Sequence, residues 1–218
     1  MQVFHFVSAR YGLDDIRNRR LKIALIPELN DPFELMSIDL SDAELRPRFR
    51  SFKATLSKDN GLLCFSSKWS NPVLWSHYAE RHRGLCLGFQ VRDDIAKGVS
   101  YTAKRLIKEA EAIRNPGAIN EALVQRLLFT KFAHWRYESE VRAYVHIDQK
   151  DSETGHYFYE FSDSLSLTHV ILGCQSEISR AEVSDALGDI ANNVHCFKAR
   201  MAFKSFKIVR NRNESLWT

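Results

Sequence analysis

The apolar residues of this chain occur in short runs, and this feature most limits the fold. Three of the runs have the length of buried strands: G-L-L-C-F-S-S at 61–67, G-L-C-L-G-F-Q-V at 84–91 and T-H-V-I-L-G-C at 168–174. None approaches the roughly 20 apolar residues that a membrane-spanning helix needs. Segments with helical spacing of apolar residues separate the runs. This alternation predicts an α+β fold built on a mostly central sheet.

The remaining elements follow from the same periodicities. Further strands are expected at 2–8, 21–29 and 138–147, with two closing strands near the C-terminus; helices are expected at 10–20, 41–58, 71–82, 118–134 and 178–192, with a charged helix inside 93–113. The final residues, N-E-S-L-W-T, are predicted to be a tail. No composition shift marks a boundary, so we expect one domain over residues 1–218.

Charge and motif content exclude several classes of function. The net charge of +4 allows a phosphate-bearing partner without requiring nucleic acid. The N-terminus lacks the pattern of a signal peptide, so we expect a cytoplasmic protein without a membrane partner. No Cys/His spacing predicts a metal site, and the Walker, dinucleotide-fingerprint and G-x-S-x-G motifs are absent from the sequence. The cysteines, which lie in apolar stretches without basic neighbours, are interpreted as reduced core thiols: Cys64, Cys86, Cys174 and Cys196.

The strongest candidate site lies in the segment W-R-Y-E-S-E-V-R. On a strand, residues two apart share a face, so Glu138, Glu140 and Arg142 are predicted to point the same way. Two carboxylates beside a guanidinium suit acid–base work or the binding of sugar hydroxyls. A solvated strand face with an ion pair is the alternative, and the spacing leaves both open.

Aromatic and histidine side chains form a second candidate. Trp75, His77 and Tyr78 lie on a predicted helix directly after a strand, and His5 lies within the first strand. Core packing is the ordinary explanation for each of them, and ligand binding is the functional one. Two basic clusters are interpreted as solvated faces or as a phosphate-binding groove: Arg10, Arg17, Arg19, Arg20 and Lys22, and then Arg46, Arg48, Arg50 and Lys53.

An ordered set of motifs resembles the bacterial domain-of-unknown-function family 2971 (DUF2971). The motifs are N-D-P-F-E at 30–34, C-F-S at 64–66, W-S-H-Y-A at 75–79, G-L-C-L-G-F at 84–89, W-x-Y-E-x-E-x-R at 135–142 and I-L-G at 171–173. The resemblance covers residues 3–175, and the remaining helix and strands are expected to complete the sheet. It implies an accessory or phage-defence role in bacteria.

Three segments also resemble the ADP-ribosyltransferases, including their DNA-targeting toxins. These segments are H-F-V-S at 5–8 followed by L-D-D-I at 13–16, the stretch F-S-S-K-W-S-N-P-V-L-W at 65–75 with Tyr78, and E-V-R-A-Y-V at 140–145. The resemblance implies a split mixed β-sheet flanked by helices. It also implies that nicotinamide adenine dinucleotide (NAD) is the substrate and that a protein or nucleic acid accepts ADP-ribose, with no metal.

The transferase resemblance assigns roles to individual residues. Glu140 would stabilise the oxocarbenium-like state, and Glu138 would activate the acceptor. His5 would bind the adenosine ribose, while Tyr78 or Trp75 would stack on nicotinamide. The other residues expected around the cofactor are Ser8, Arg10, Arg20, Asn30, Asp31, Ser66, His77 and Arg142.

Two readings from other classes remain open. One is a non-catalytic module of bacterial defence that binds nucleic acid or a nucleotide through the basic helices and exposed aromatic side chains. The other is an antitoxin-like interaction protein whose polar strand faces contact a partner. The sequence does not determine the oligomeric state.

Overall fold

The computed structural model describes residues 1–217 and contains six α-helices and thirteen strands there. The strands are β1 (Gln2–Val7), β2 (Arg20–Lys22), β3 (Ala24–Leu25), β4 (Asn60–Ser66), β5 (Leu85–Val91), β6 (Ala96–Gly98), β7 (Ser100–Thr102), β8 (Thr130–Phe132), β9 (Glu140–His146), β10 (Phe158–Glu160), β11 (Leu165–Leu172), β12 (His195–Met201) and β13 (Ile208–Arg210). The helices are α1 (Ala9–Arg17), α2 (Leu45–Lys58), α3 (Pro72–Tyr78), α4 (Ile107–Arg114), α5 (Glu121–Leu128) and α6 (Arg180–Leu187). Within residues 1–217, every helix is too short or too polar to cross a membrane.

The chain forms two compact units, each assembled from separate stretches of sequence. Unit 1 contains residues 1–22, residues 65–96 and the chain from Phe158 onward. Unit 2 contains residues 23–64 and residues 97–157. Strand β4 contributes its last two residues to unit 1 and the others to unit 2. The expectation of a single domain over the whole chain stays a prediction.

Unit 1 is built on a mixed sheet. Strand β5 lies between β1 and β11 and is antiparallel to both. Strand β12 runs parallel to β11, and β13 pairs antiparallel with β12 at the edge. Its core includes Trp75 of α3, which packs with Phe4, Cys86, Ile171 and Phe197. The helix is positioned by Asn71, whose side chain accepts a hydrogen bond from the Val73 amide, and by proline in its first turn.

Unit 2 is built from three helices and short strands. Residues of α2, α4 and α5 share one apolar cluster, in which Leu45, Phe49, Ile113 and Leu127 are buried. Strand β3 pairs with β4, and β7 runs parallel to β8. Each end of β9 is anchored by a backbone hydrogen bond: the Ile147 amide donates to Asp59 at 3.0 Å, and the Val99 amide donates to Glu140 at 2.9 Å.

The predicted α+β class and mixed sheet are confirmed, and several element boundaries are corrected. The expected strand over 21–29 is two short strands and a 3₁₀ turn. The expected helix over 118–134 ends at Leu128, because the next residues pair with β7 as a strand. The expected helix over 178–192 ends at Leu187, since Gly188 has a φ of +51°. The transferase-like arrangement of the sheet stays a prediction.

The predicted C-terminal tail is wrong. Trp217 is buried, and its indole nitrogen donates a hydrogen bond to the Ile178 carbonyl at 3.0 Å. The Arg180 guanidinium lies over the indole, 4.4 Å from the ring centroid, and donates to the Trp217 carbonyl. One bulky apolar residue thus anchors the polar segment to unit 1.

Candidate functional site

A buried chain of alternating charges occupies the interior of unit 2. Glu34 pairs with Arg142 through two contacts of 2.6 and 2.9 Å between carboxylate oxygens and guanidinium nitrogens. Arg142 also pairs with Glu140, at 2.6 Å from Nε and 3.0 Å from Nη2. The Lys131 ammonium bridges Glu140 at 3.0 Å and Glu138 at 2.6 Å. All five side chains are buried, and we call this set the charge network.

The hydrogen-bond donors of Arg142 are fully used within the charge network. Its five donated bonds reach both oxygens of Glu34, both oxygens of Glu140, and the Leu128 carbonyl at 2.7 Å. A guanidinium has five N–H groups, so none remains for a ligand. The expectation that Arg142 binds a cofactor is therefore not supported by this geometry, which gives the side chain a structural role.

The network holds Glu140, Lys131 and Arg142 in their charged forms. Burial alone would raise the pKa of Glu140, but the charge and hydrogen bonds of Arg142, followed by Lys131, lower it below the usual value. Burial would lower the pKa of Lys131, yet Glu140 and Glu138 raise it. A paired ammonium of this kind is neither a nucleophile nor a base at neutral pH.

Two backbone turns bring distant motifs to the network. Asp31 accepts a hydrogen bond from the Phe33 amide at 2.9 Å, and its carbonyl accepts one from the Glu34 amide at 2.9 Å. This turn presents Glu34 from the N-D-P-F-E motif. Ser139, with a φ of +45°, turns the chain between a 3₁₀ helix and β9. Glu138 therefore ends the 3₁₀ helix, and the prediction that it lies on the same strand as Glu140 is wrong.

Other side chains enclose the network. The Tyr101 hydroxyl accepts a hydrogen bond from the Glu140 amide at 2.8 Å, and the Trp135 ring lies 4.8 Å from the Lys131 ammonium. Cys64 is half-buried, and its thiol interacts electrostatically with the network. Burial, followed by the charge of Glu140, raises the pKa of this thiol. The interpretation that the cysteines lack basic neighbours is thus wrong for Cys64, because the charges of Arg142 and Lys131 reach it from other parts of the chain.

The structure divides the predicted site residues between the two units. Unit 2 contains Glu138, Glu140 and Arg142, which meet in the network, together with Asp31, which is buried in its turn, and Asn30, which is exposed. The others belong to unit 1: His5, Ser8, Arg10, Arg20, Ser66, Trp75, His77 and Tyr78. Their convergence on one ligand stays a prediction.

Trp75 is a core residue. It has no exposed surface, its indole nitrogen donates to the Trp69 carbonyl at 2.6 Å, and the Phe6 ring packs edge-on at 5.3 Å. The expectation that Trp75 stacks on nicotinamide is not supported, because neither ring face is open. Tyr78 is half-buried and His77 is exposed, with their ring centroids 6.0 Å apart.

The remaining unit 1 residues lie on β1, at the end of β4, at the start of α1 and, for Arg20, at the start of β2. His5 is half-buried, with its ring edge-on to Phe65 at 6.0 Å. Ser66 is buried, and its hydroxyl accepts a hydrogen bond from the Lys68 amide at 3.0 Å. Beside Ser8, the Ala9 amide donates to the Glu80 carboxylate at 3.1 Å, so a carboxylate already contacts the start of α1.

A pocket of about 170 Å³ opens in unit 2. Aromatic rings of Phe33 and Phe132 line it, together with the cationic side chains of Lys104 and Arg105. The Arg105 guanidinium lies 5.1 Å from the Phe33 centroid and donates to the Met36 carbonyl. The nine described lining residues include no acidic side chain: Phe33, Met36, Ser37, Thr102, Ala103, Lys104, Arg105, Thr130 and Phe132.

The pocket and the charge network lie on opposite faces of the β7–β8 pair. Tyr101 aligns with Lys131, and Thr102 aligns with Phe132. Because side chains alternate along a strand, Tyr101 and Lys131 face the network while Thr102 and Phe132 face the pocket. We call the pocket lined by these residues the aromatic pocket.

Sequence reasoning missed Lys131, Glu34 and the aromatic pocket. Lys131 was a lone cation between Phe129 and Phe132 in a stretch predicted to be helical, and that isolation among apolar residues is the available signal. Glu34 was part of a quoted motif, but only the long-range pairing with Arg142 gives it a role. Among residues 1–217, no cluster of three or more His, Cys, Asp or Glu side chains is arranged to hold a metal ion.

No protein-family model, curated protein or solved structure matches this chain.

Proposed function

We propose that this chain binds a nucleotide at the aromatic pocket. The observation that supports this proposal is the pairing of exposed aromatic rings with cations in a pocket without acidic lining. Phe33 is 54% exposed and Phe132 is 43% exposed, so both rings present surface to a ligand. A flat base stacks on such rings, and a phosphate pairs with the exposed Lys104 and Arg105.

The size and polarity of the pocket limit how a nucleotide would sit. At about 170 Å³ it is smaller than pockets that enclose whole drug-sized ligands, so it suits one ring system with the phosphates outside. The Ser37 hydroxyl lines the pocket, and its oxygen is buried without a hydrogen-bond partner in the described residues. It supplies a donor and an acceptor for the edge of a base. NAD is the nucleotide to test first, because the transferase resemblance implies it.

Calorimetric titration with NAD, AMP and adenosine tests this proposal. Phe132→Ala is expected to weaken AMP binding roughly 5- to 150-fold, the range for loss of one stacked base. Arg105→Gln is expected to weaken AMP more than adenosine, because only AMP carries the phosphate. The matched control is Arg50→Gln, which removes an exposed arginine of α2 in the same unit. No binding of any of the three ligands at millimolar concentration would contradict the proposal.

ADP-ribosyl transfer from NAD is the second candidate. It is favoured by Glu140, an ionised carboxylate on the first residue of β9, because such a group stabilises an oxocarbenium-like state. Both of its oxygens contact Arg142 or Lys131, so a substrate ribose would have to replace these contacts. For this reason the geometry favours binding over transfer.

Release of nicotinamide from NAD distinguishes the two candidates. Glu140→Gln is expected to abolish the release if the chain is a transferase. Glu34→Gln is the matched control, since it also removes one carboxylate charge from Arg142. Equal losses in the two variants would indicate damage to the fold. No release by the wild type, together with binding of NAD, would leave nucleotide binding as the function.

A further inference from the structure

The hairpin formed by β12 and β13 carries the most exposed aromatic side chains in the described chain. Phe203 is 91% exposed and Phe206 is 99% exposed, and both lie in the loop between the two strands. Met201, at the end of β12, is also exposed. Soluble domains rarely present such a cluster unless it contacts a partner. We propose that this hairpin is a contact surface for single-stranded nucleic acid.

The charge of the hairpin complements a phosphate backbone. Between Ile190 and Asn213 the sequence contains no aspartate or glutamate and six lysines and arginines: Lys198, Arg200, Lys204, Lys207, Arg210 and Arg212. Lys204 and Lys207 lie in the loop beside the two phenylalanines and are exposed. Proteins that bind single strands combine such cations with aromatic rings on which bases stack.

Backbone hydrogen bonds fix the base of the loop, which favours the stacking of nucleic-acid bases on its rings. The Ala202 amide donates to the Lys207 carbonyl at 2.9 Å, and the Ile208 amide donates to the Ser70 carbonyl at 2.9 Å. The Arg200 guanidinium lies 4.5 Å from the Phe203 centroid. A cation on one face of the ring supports it and leaves the other face for a base.

An anionic membrane is the competing partner, and the sequence of the loop argues against it. Lys204 and Ser205 lie between Phe203 and Phe206, so burying both rings in hydrocarbon would also remove an ammonium group and backbone amides from water. Stacking on bases requires no such desolvation. The hairpin lies in unit 1, and the proposal does not depend on the aromatic pocket.

Fluorescence anisotropy with labelled 20-nucleotide polythymidine and polyuridine tests the proposal. The double variant Phe203→Ala/Phe206→Ala is expected to bind at least about 25-fold more weakly, since each stacked base contributes roughly fivefold or more. Tyr11→Ala is the matched control, because Tyr11 is exposed in the same unit and also lies near an arginine, Arg10. Its affinity is expected to stay within about twofold of the wild type.

The salt dependence of oligonucleotide binding tests the electrostatic part of the proposal. The variant Lys204→Gln/Lys207→Gln is expected to reduce the slope of log K against log salt concentration by about 1.4 for a single strand. Thermal unfolding by circular dichroism checks folding, and no change is expected because the altered side chains are exposed.

Three results would overturn the proposal. The first is equal oligonucleotide affinity for the wild type and the double phenylalanine variant. The second is no oligonucleotide binding by the wild type at 50 mM salt; phenylalanine-dependent binding to phosphatidylserine vesicles would then assign the hairpin to membranes. The third is loss of oligonucleotide binding in Phe132→Ala alone, which would move the contact to the aromatic pocket.

Discussion

Glu34 and Arg142 form a buried two-bond ion pair although 108 positions separate them in the chain. Glu34 belongs to the N-D-P-F-E turn, and Arg142 belongs to β9. The pair therefore joins two segments of unit 2 that sequence alone presents as separate motifs. Because all five N–H groups of Arg142 are used by its partners, the planar geometry of its guanidinium, rather than its charge alone, holds the segments together.

Removal of Arg142 is expected to destabilise the fold strongly. Arg142→Met leaves Glu34 and Glu140 buried without their main partner, and such a loss costs about 3–5 kcal/mol. The free energy of unfolding in urea measures the effect. The control is Arg92→Gln, which breaks an exposed pair with Asp94 and is expected to leave the free energy of unfolding nearly unchanged. If Arg142→Met lost no more unfolding free energy than Arg92→Gln, the network would not stabilise the fold.

Acid is expected to weaken the network through Glu140. The pKa of this carboxyl is lower in the folded protein than its usual 4.5. Its stabilising contribution is therefore complete above pH 4.5 and is lost as the pH falls through the folded value. Glu140→Gln should be less stable than the wild type at pH 7 and should lose less stability between pH 5 and pH 3. The measurement is urea unfolding of both proteins at these pH values. If the wild type and Glu140→Gln lost the same stability between pH 5 and pH 3, Glu140 would not be the group responsible.

Asp15 is expected to have the opposite effect on the pH dependence of stability, because its pKa is raised in the folded protein. Burial first, and then the neighbouring Asp14, raises its pKa from 3.8 to about 7, against an opposing effect of Arg20. The folded state thus favours the protonated carboxyl, and stability is lost as the pH rises from about 4 through 7.

Asp15→Asn is the variant that tests this shift. It should raise the unfolding temperature at pH 8 and leave it nearly unchanged at pH 4. A shift from 3.8 to about 7 corresponds to at most about 4 kcal/mol. Asp14→Asn alters the exposed neighbour, whose charge contributes to the shift. It should raise the unfolding temperature at pH 8 by a smaller amount than Asp15→Asn does. If Asp15→Asn raised the unfolding temperature as much at pH 4 as at pH 8, the gain would come from packing and not from the ionisation of Asp15.

Trp217 is expected to stabilise unit 1 from the C-terminal end of the chain. Trp217→Ala removes a buried indole and its hydrogen bond to Ile178, which is expected to cost about 3–5 kcal/mol. Leu216→Ala alters the exposed neighbour and should change stability by less than about 0.5 kcal/mol. Thermal and urea unfolding of the two variants compare them directly, and equal behaviour would mean that the C-terminal segment does not anchor the fold.

Sequence periodicity predicted most of the elements but not their limits. The buried strands β5 and β11 were predicted within a few residues, because an apolar run of that short length is typical of a buried strand and too short for most helices. The expected helix over 118–134 was too long, because helical and strand patterns are hard to separate across L-L-F-T-K-F. Its end is decided by pairing with β7, a contact that local sequence does not encode.

The sequence by itself determined the α+β class, the buried strands and the grouping of Glu140 and Arg142 on one strand face, because these depend on local periodicity and spacing. Only the tertiary structure decided what the group does. Lys131 and Glu34 come from other segments and pair the charges of Glu138, Glu140 and Arg142 in the interior of unit 2, where unpaired charges are costly. Tertiary packing likewise buried Trp75 and Trp217 and left Phe203 and Phe206 in water, although all four are large aromatic residues. Burial depends on which surfaces meet, and that is a property of the whole fold.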